Sequence, residues 1–320
     1  MDEADGGARR PVNAILLPSP EAVAALRAHP RFAEAARRIV GDLVAIYRGS
    51  RVLNQVLNDR GRMTFGFLAL YLHFSRNPHD PASGLTAGRM KALCVQTRLC
   101  SPGRAAAMLL LMRFAGYLAA APDALDRRVR LLAPTERMIA SQRERLACQF
   151  RALSLLLPEG AEGLANLDRD DFLFAMAGCF GEAFCAGFRI LDTSPAFYPL
   201  AESNAGLMIM FNLFLAADAN GTFVPSRPVQ ISISALSQQF HVSRPHITRL
   251  LREAAALGFI ERQGTSGEEI LIRPSLTDAM QDFVATVFLF VAHCVRRSRD
   301  ELLAPERSHQ PRRASPQVIV

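Results

Sequence analysis

The chain repeats its own plan. Ser101 to Met138 aligns with Ser243 to Met280 at a constant separation of 142 residues, through Ser101/Ser243, Gly116/Gly258, Tyr117/Phe259, Thr135/Thr277 and Met138/Met280. Upstream the separation is 140, through Phe32/Phe172, Gly41/Gly181, Gly66/Gly206, Leu70/Met210, Tyr71/Phe211 and Phe74/Phe214. A repeat of this length has to be explained before any fold is assigned, because it sets the number of units. With 320 residues, half of them hydrophobic, two units of ordinary size can each bury a core. The expected boundaries are 13–157 and 172–302, with a Gly- and acid-bearing linker at 158–171 and disordered tails at 1–12 and 303–320.

Each unit reads as mainly helical. Ser19-Pro20-Glu21 opens a short helix with a serine cap and a proline in the first turn. Longer helices are expected at 31–48, 61–76, 136–155, 172–190, 203–217 and 276–298. The segments Phe65 to Phe74 and Leu207 to Leu215 are apolar on every side, which places them at a buried seam between the units.

The second unit contains SALSQQFHVSRPHITRLLREAAALGFIER, Ser234 to Arg262. Ala235, Leu236 and Phe240 give a short helix its inward face, His241-Val242 makes a turn, and Ser243 caps the next helix. In that helix Ile247, Leu250, Leu251, Ala254 and Leu257 recur at helical spacing and point inward, and Gly258 supplies the C-terminal stop. Phe259-Ile260, a turn at Gly264 to Gly267, and Ile270-Leu271-Ile272 then form a hairpin. The residues left outside are Arg244, His246, Thr248, Arg249 and Arg252, next to the Ser243 cap.

This stretch resembles the winged helix-turn-helix of bacterial transcription regulators, the MarR type in particular, over roughly residues 60–150 and 200–298. In the first unit Asp126-Arg127-Arg128, before Val129 to Leu132, is similar to the wing of that family, where an arginine at the tip approaches the minor groove. The second unit has Glu268-Glu269 in the corresponding hairpin. The resemblance implies two winged helix-turn-helix domains in tandem, with small β wings, packed as an intramolecular pseudo-dimer through long helices. It also implies double-stranded DNA as partner and permits a small-molecule ligand between the helical core and the DNA-binding lobes.

The two units differ in their reading helices. Ser101 to Phe114 runs Pro-Gly-Arg-Ala-Ala-Ala-Met-Leu-Leu-Leu-Met-Arg after its cap, and Leu110 and Leu111 stand where the second unit has Arg252 and Glu253. The expectation is therefore a division of labour. Ser243, Arg244, His246, Thr248, Arg249 and Arg252 serve the second unit's helix, with arginine contacts to bases. Arg104, Arg127, Arg128 and Arg130 hold the DNA backbone from the first. The alternative is a protein-interaction scaffold without DNA binding, which Leu110 and Leu111 would suit.

Charge follows the same asymmetry. Residues 1–150 hold 22 Lys+Arg against 12 Asp+Glu, and residues 151–320 hold 15 against 18. The basic surplus fits a polyanionic partner. Cys94 and Cys100, flanking Arg98, form a candidate redox pair, with small core residues as the plainer reading. No cofactor, metal site or catalytic constellation is expected, and the chain reads as a non-enzyme. The absence of a basic start followed by an apolar run, and the shortness of the apolar stretch Phe283 to Val295, predict a cytoplasmic protein without membrane attachment, either a monomeric pseudo-dimer or a homodimer.

Overall fold

The computed structural model describes residues 18–49, 59–77, 79–80, 83–121, 130–264 and 268–303. The first half runs α1 (Pro20–Arg27), α2 (Phe32–Gly49), α3 (Asp59–Phe74), α4 (Ala87–Gln96), α5 (Pro102–Phe114), β1 (Leu118–Ala120), β2 (Leu132–Pro134) and α6 (Glu136–Leu153). The second begins with α7 (Pro158–Asn166) and α8 (Asp170–Cys185), followed by two 3-10 turns at Ile190–Thr193 and Pro195–Phe197 and the short α9 (Tyr198–Glu202). It continues with α10 (Gly206–Ala217), β3 (Val229–Gln230), α11 (Ile233–Phe240), α12 (Arg244–Ala256), β4 (Ile260–Gln263), β5 (Glu269–Ile272) and α13 (Pro274–Leu303). The protein is mainly helical with small antiparallel sheets.

Short polar side chains set many of the helix starts. Ser19, Thr86, Ser101, Thr135, Ser232 and Ser243 each accept a hydrogen bond from the amide three residues on. Each thereby satisfies a donor that the first helical turn leaves free. Residues 158–171, expected as a linker, hold α7 instead. Their glycines are packing devices: a methyl group on Gly163 would lie 2.8 Å from the ring of Phe150, and one on Gly160 would strike the backbone at Ser154.

The two halves match closely as far as the hairpins. α5 and α12 are both 13 residues long. Each ends before a left-handed glycine, Gly116 at φ 75° and Gly258 at φ 71°. Beyond that point the 142-residue separation fails. Leu118 pairs with Pro134 and Ile260 with Ile272, so the returning strands are 138 residues apart, not 142. Thr135 therefore corresponds to Arg273, and Met138 to Leu276. The first hairpin is four residues longer, and four residues is close to one helical turn. A slip of that size keeps the inward face of the following helix inward, since both Leu276 and Met280 are fully buried. In the second half β5 lies between β4 and β3; in the first a single bridge, Thr86 to Leu131, replaces the third strand.

The halves hold each other by reciprocal packing. α2 lies on α10 of the other half, and α8 lies on α3. Within each half α2 packs on α6 and α8 on α13, and across the halves α1 covers α13 and α7 covers α6. Polar ties follow the same route. Arg27 reaches Asp278 at 3.1 Å, Asp282 at 2.6 Å and Gln281 at 2.6 Å. Arg37 binds the fully buried Asp218 at 2.6 Å, whose carboxylate also accepts the Phe223 amide at 3.0 Å. Arg48 donates to Asn212 at 2.5 Å and lies over the Phe240 ring. α13, with 30 residues, is long and apolar enough to cross a membrane by length and composition. Its apolar residues Val284, Ala285, Phe288, Ala292 and Val295 are buried in this fold.

The halves crowd together at the α3–α8 crossing, where a methyl group on Gly181 would lie 2.2 Å from Tyr71 Cγ. Its counterpart, Gly41 in α2, faces nothing within 4 Å. Gly181→Ala should therefore destabilise the protein by about 1–3 kcal/mol through overpacking. Gly41→Ala should stabilise it by up to about 1 kcal/mol through helix propensity. Chemical denaturation of the two variants checks the pair, and equal effects would contradict the asymmetric crossing.

Candidate nucleic-acid interface

α11 and α12 are joined by His241, Val242 and Ser243. His241 adopts a left-handed conformation at φ 56°, and Ser237 Oγ donates to Val242 O at 2.6 Å, closing the turn. Leu236, Phe240, Ile247, Leu250, Leu251 and Ala254 are buried, so the two helices share one apolar contact. Leu257, expected on the inward face, is 37% exposed because it is the residue that caps the helix.

Arg244, Arg249 and Arg252 are exposed on the far side of α12. Arg244 and Arg252 lie two turns apart in line with Thr248, whose hydroxyl donates back to Arg244 O at 3.1 Å. Arg244 donates to Ser234 Oγ at 2.9 Å, and Arg249 pairs with Glu253 one turn on. Ser243 is occupied as the cap, accepting the His246 amide at 3.3 Å. His246 departs from the expected outward placement. It is half-buried, and its Nε2 meets Asn204 O at 2.8 Å, a peptide oxygen at the start of α10. The ring fills the seam between α12 and the core because Ala205, left-handed at φ 59°, turns the chain there.

In the first half Arg98 supplies the left-handed turn residue, at φ 53°. Arg104 and Arg130 are exposed, whereas Arg127 and Arg128 lie outside the described residues. Val129 also lies outside the described residues, and the strand described after it is Leu132–Pro134. Met108, Leu109 and Met112 are buried on α5, Leu111 is half-buried, and Leu110 is exposed. The second hairpin carries acids, with Glu261 bound to Arg273 at 3.0 Å.

Between α5 and the seam lies a chamber of about 170 Å³. Met108 and Met112 of α5, Tyr47, Phe180, Phe184, Met208 and Phe283 form its apolar wall. Gln142 and Arg145 of α6 mark a polar side, and Gln142 Oε1 has no hydrogen-bond partner among the described residues. Two ties lead outward from this wall. Tyr47 Oη donates to Asn204 Oδ1 at 3.4 Å, and Asn204 holds His246 of α12. Arg189 donates to Phe184 O and Phe188 O at 2.7 Å and to Thr97 O, in the α4–α5 turn, at 2.6 Å. These links join residues far apart in the chain, and no local pattern in the sequence points to them.

The cysteines are all reduced. Burial pushes the Cys94 thiol up to about 12, and burial raises Cys100 as well, so neither is a ready thiolate. Cys179 of α8 moves the other way, chiefly because the Cys294 thiol of α13 donates to it, with His293 and Arg297 adding to the effect. Among the described residues no three His, Cys, Asp or Glu side chains gather as metal ligands. No protein-family profile, curated protein or solved structure matches the chain.

Cys94 is fully buried and Cys185 is exposed. Iodoacetamide on the native protein near neutral pH should therefore modify Cys185 first and spare Cys94 until denaturant is added. Mass spectrometry of the labelled peptides reads the order, and prompt labelling of Cys94 would contradict its burial.

Proposed function

We propose that the chain is a double-stranded-DNA-binding transcription regulator of the cytoplasm, built from two MarR-like winged helix-turn-helix units in one polypeptide. The observation that carries this reading is the outer face of α12. It presents Arg244, Thr248, Arg249 and Arg252 on a helix whose opposite face is anchored in the core. A helix held this way can enter a major groove, where arginine pairs with guanine edges and phosphates. The order of β3, β5 and β4 beside it fits a wing. The first half would add backbone contacts through Arg104 and Arg130, which set affinity and register rather than sequence choice. His246 belongs to the support of α12 in this scheme and not to the reading surface. Because one chain supplies both halves, the binding species would be a monomer.

The chamber fits an apolar small-molecule ligand. Its volume is similar to that of cavities of about 150 Å³ that accept benzene. The Tyr47–Asn204–His246 chain offers a route by which an occupant displacing the wall would move α12. In this scheme, coupling requires the occupied and empty chambers to favour different positions of α12.

Duplex binding measured against salt tests the reading. Arg252→Ala should lower affinity for a preferred site by about 1–3 kcal/mol while changing random-duplex affinity less. Arg104→Ala should weaken both equally and reduce the salt slope by about one. Glu253→Gln should strengthen binding by releasing Arg249. Absence of any duplex retention at low salt would overturn the assignment.

Filling the chamber with Met208→Trp should abolish native-state binding of the apolar probe benzene, read as loss of the rise in Tm that benzene gives the wild-type chain. Unchanged probe binding would place the apolar site elsewhere.

A further inference from the structure

α5 occupies the place in the first half that α12 occupies in the second, yet its outer face is apolar. Gly103, Ala106, Ala107, Leu110 and Phe114 recur at helical spacing on the exposed side. Leu110 is 67% exposed and Phe114 87%, and Val95 on α4 is 50% exposed. The inward face of the same helix, Ala105, Met108, Leu109 and Met112, is already buried, so α5 has a second apolar stripe that no described residue covers. Large side chains left in water at this density mark a contact surface. The stripe is graded, with Gly103 open to solvent at one end and Phe114 at the other. That profile lets a second helix approach closely at the start of α5 and lodge against larger side chains at its end.

The charge around the stripe selects the occupant. No Asp or Glu occurs between Asp80 and Asp123, and the same stretch carries Arg89, Lys91, Arg98, Arg104 and Arg113. Arg98, Arg104 and Arg113 are exposed, and none forms an ion pair among the described residues. A second copy of this chain laid antiparallel on the stripe would set Arg104 of one copy near Arg113 of the other, with no carboxylate in the stretch to separate them. Nucleic acid would satisfy the arginines but would leave Leu110 and Phe114 against phosphate and sugar. An amphipathic helix with an apolar stripe and acidic flanks satisfies both features.

We propose that the outer face of α5 docks an acidic amphipathic helix of another protein, with Leu110 and Phe114 as apolar anchors and Arg98, Arg104 and Arg113 as the charged rim. This does not rest on α12 reading DNA. If the chain binds DNA as proposed, Arg104 is shared and duplex and peptide compete for it; a chain that binds no DNA would keep the same surface.

The probe is a synthetic helical peptide of about three heptads, with Leu at the a and d positions and Glu at e and g. Its binding to the full chain is followed by fluorescence anisotropy. The same peptide with Lys in place of Glu is the control. The acidic peptide should bind with micromolar affinity that falls as salt rises, and the Lys peptide should bind at least roughly ten-fold more weakly. The double variant Leu110→Glu/Phe114→Glu should lose at least roughly ten-fold in affinity for the acidic peptide. Its circular dichroism should be unchanged, because both residues are exposed. Arg252→Ala, on the equivalent face of α12, should leave peptide binding unaltered, so that failure of the DNA reading and failure of this one are read separately. Equal affinity for the two peptides, or full binding by the double variant, would overturn the proposal. So would concentration-dependent dimerisation of the wild-type chain that the double variant abolishes, since the face would then belong to a second copy. Binding seen only after removal of residues 1–17 would assign the face to the chain's own N-terminal segment, and that also overturns it.

Discussion

The reciprocal laying of α2 on α10 and of α8 on α3 is the constraint from which the rest of the architecture follows. Neither half completes its core alone, because the apolar helices α3 and α10 find their cover on the opposite half. Helices apolar on all sides are stable only when surrounded, and this arrangement surrounds both. It carries α12 through α9 and β4 and α5 through α4 and β1, and it leaves a chamber where the seam meets α5. The buried Asp218 is held by Arg37 from the other half, so separating the halves would strand a charge in an apolar setting.

On this common frame the two equivalent helices have opposite surfaces. α12 has one apolar face and one basic face; α5 has apolar residues on both. The difference is chemical rather than geometric, because caps, lengths and stop glycines agree. Shared backbone geometry with divergent side chains is the expected signature of two units required to pack alike but free to meet different partners.

Much of this was legible in the sequence. The caps Ser19, Ser101 and Ser243, the stop at Gly258 and the spacing of Ile247, Leu250, Leu251 and Ala254 gave the helices and their inward faces; the threonine caps Thr86 and Thr135 were not read. The seam helices were legible because Leu207 to Leu215 has no polar side to turn outward. Local pattern failed where distant partners decide the outcome. His246 carries a polar side chain at an outward spacing, and only the carbonyl of Asn204, brought in by the α9–α10 corner, draws it inward. The pairing of Thr135 with Thr277 was a one-turn slip that preserves helical phase and therefore leaves no trace in hydrophobic spacing. α7 escaped notice because its glycines suggested a loop, whereas Phe150 and the backbone at Ser154 demand them. The chamber, and the ties of Tyr47 and Arg189 at its wall, depend on side chains from seven helices and have no local signature.

Joining the two halves covalently changes how such a surface can vary. In a symmetric dimer every substitution appears twice, and assembly depends on protein concentration. Here Gly181 can serve a crowded crossing while Gly41 faces open space, and each position answers only to its own surroundings. The stoichiometry of the halves is also constant at any dilution. The intramolecular seam thus separates two demands that a dimer must meet with a single sequence: maintaining the scaffold and diversifying what the scaffold displays.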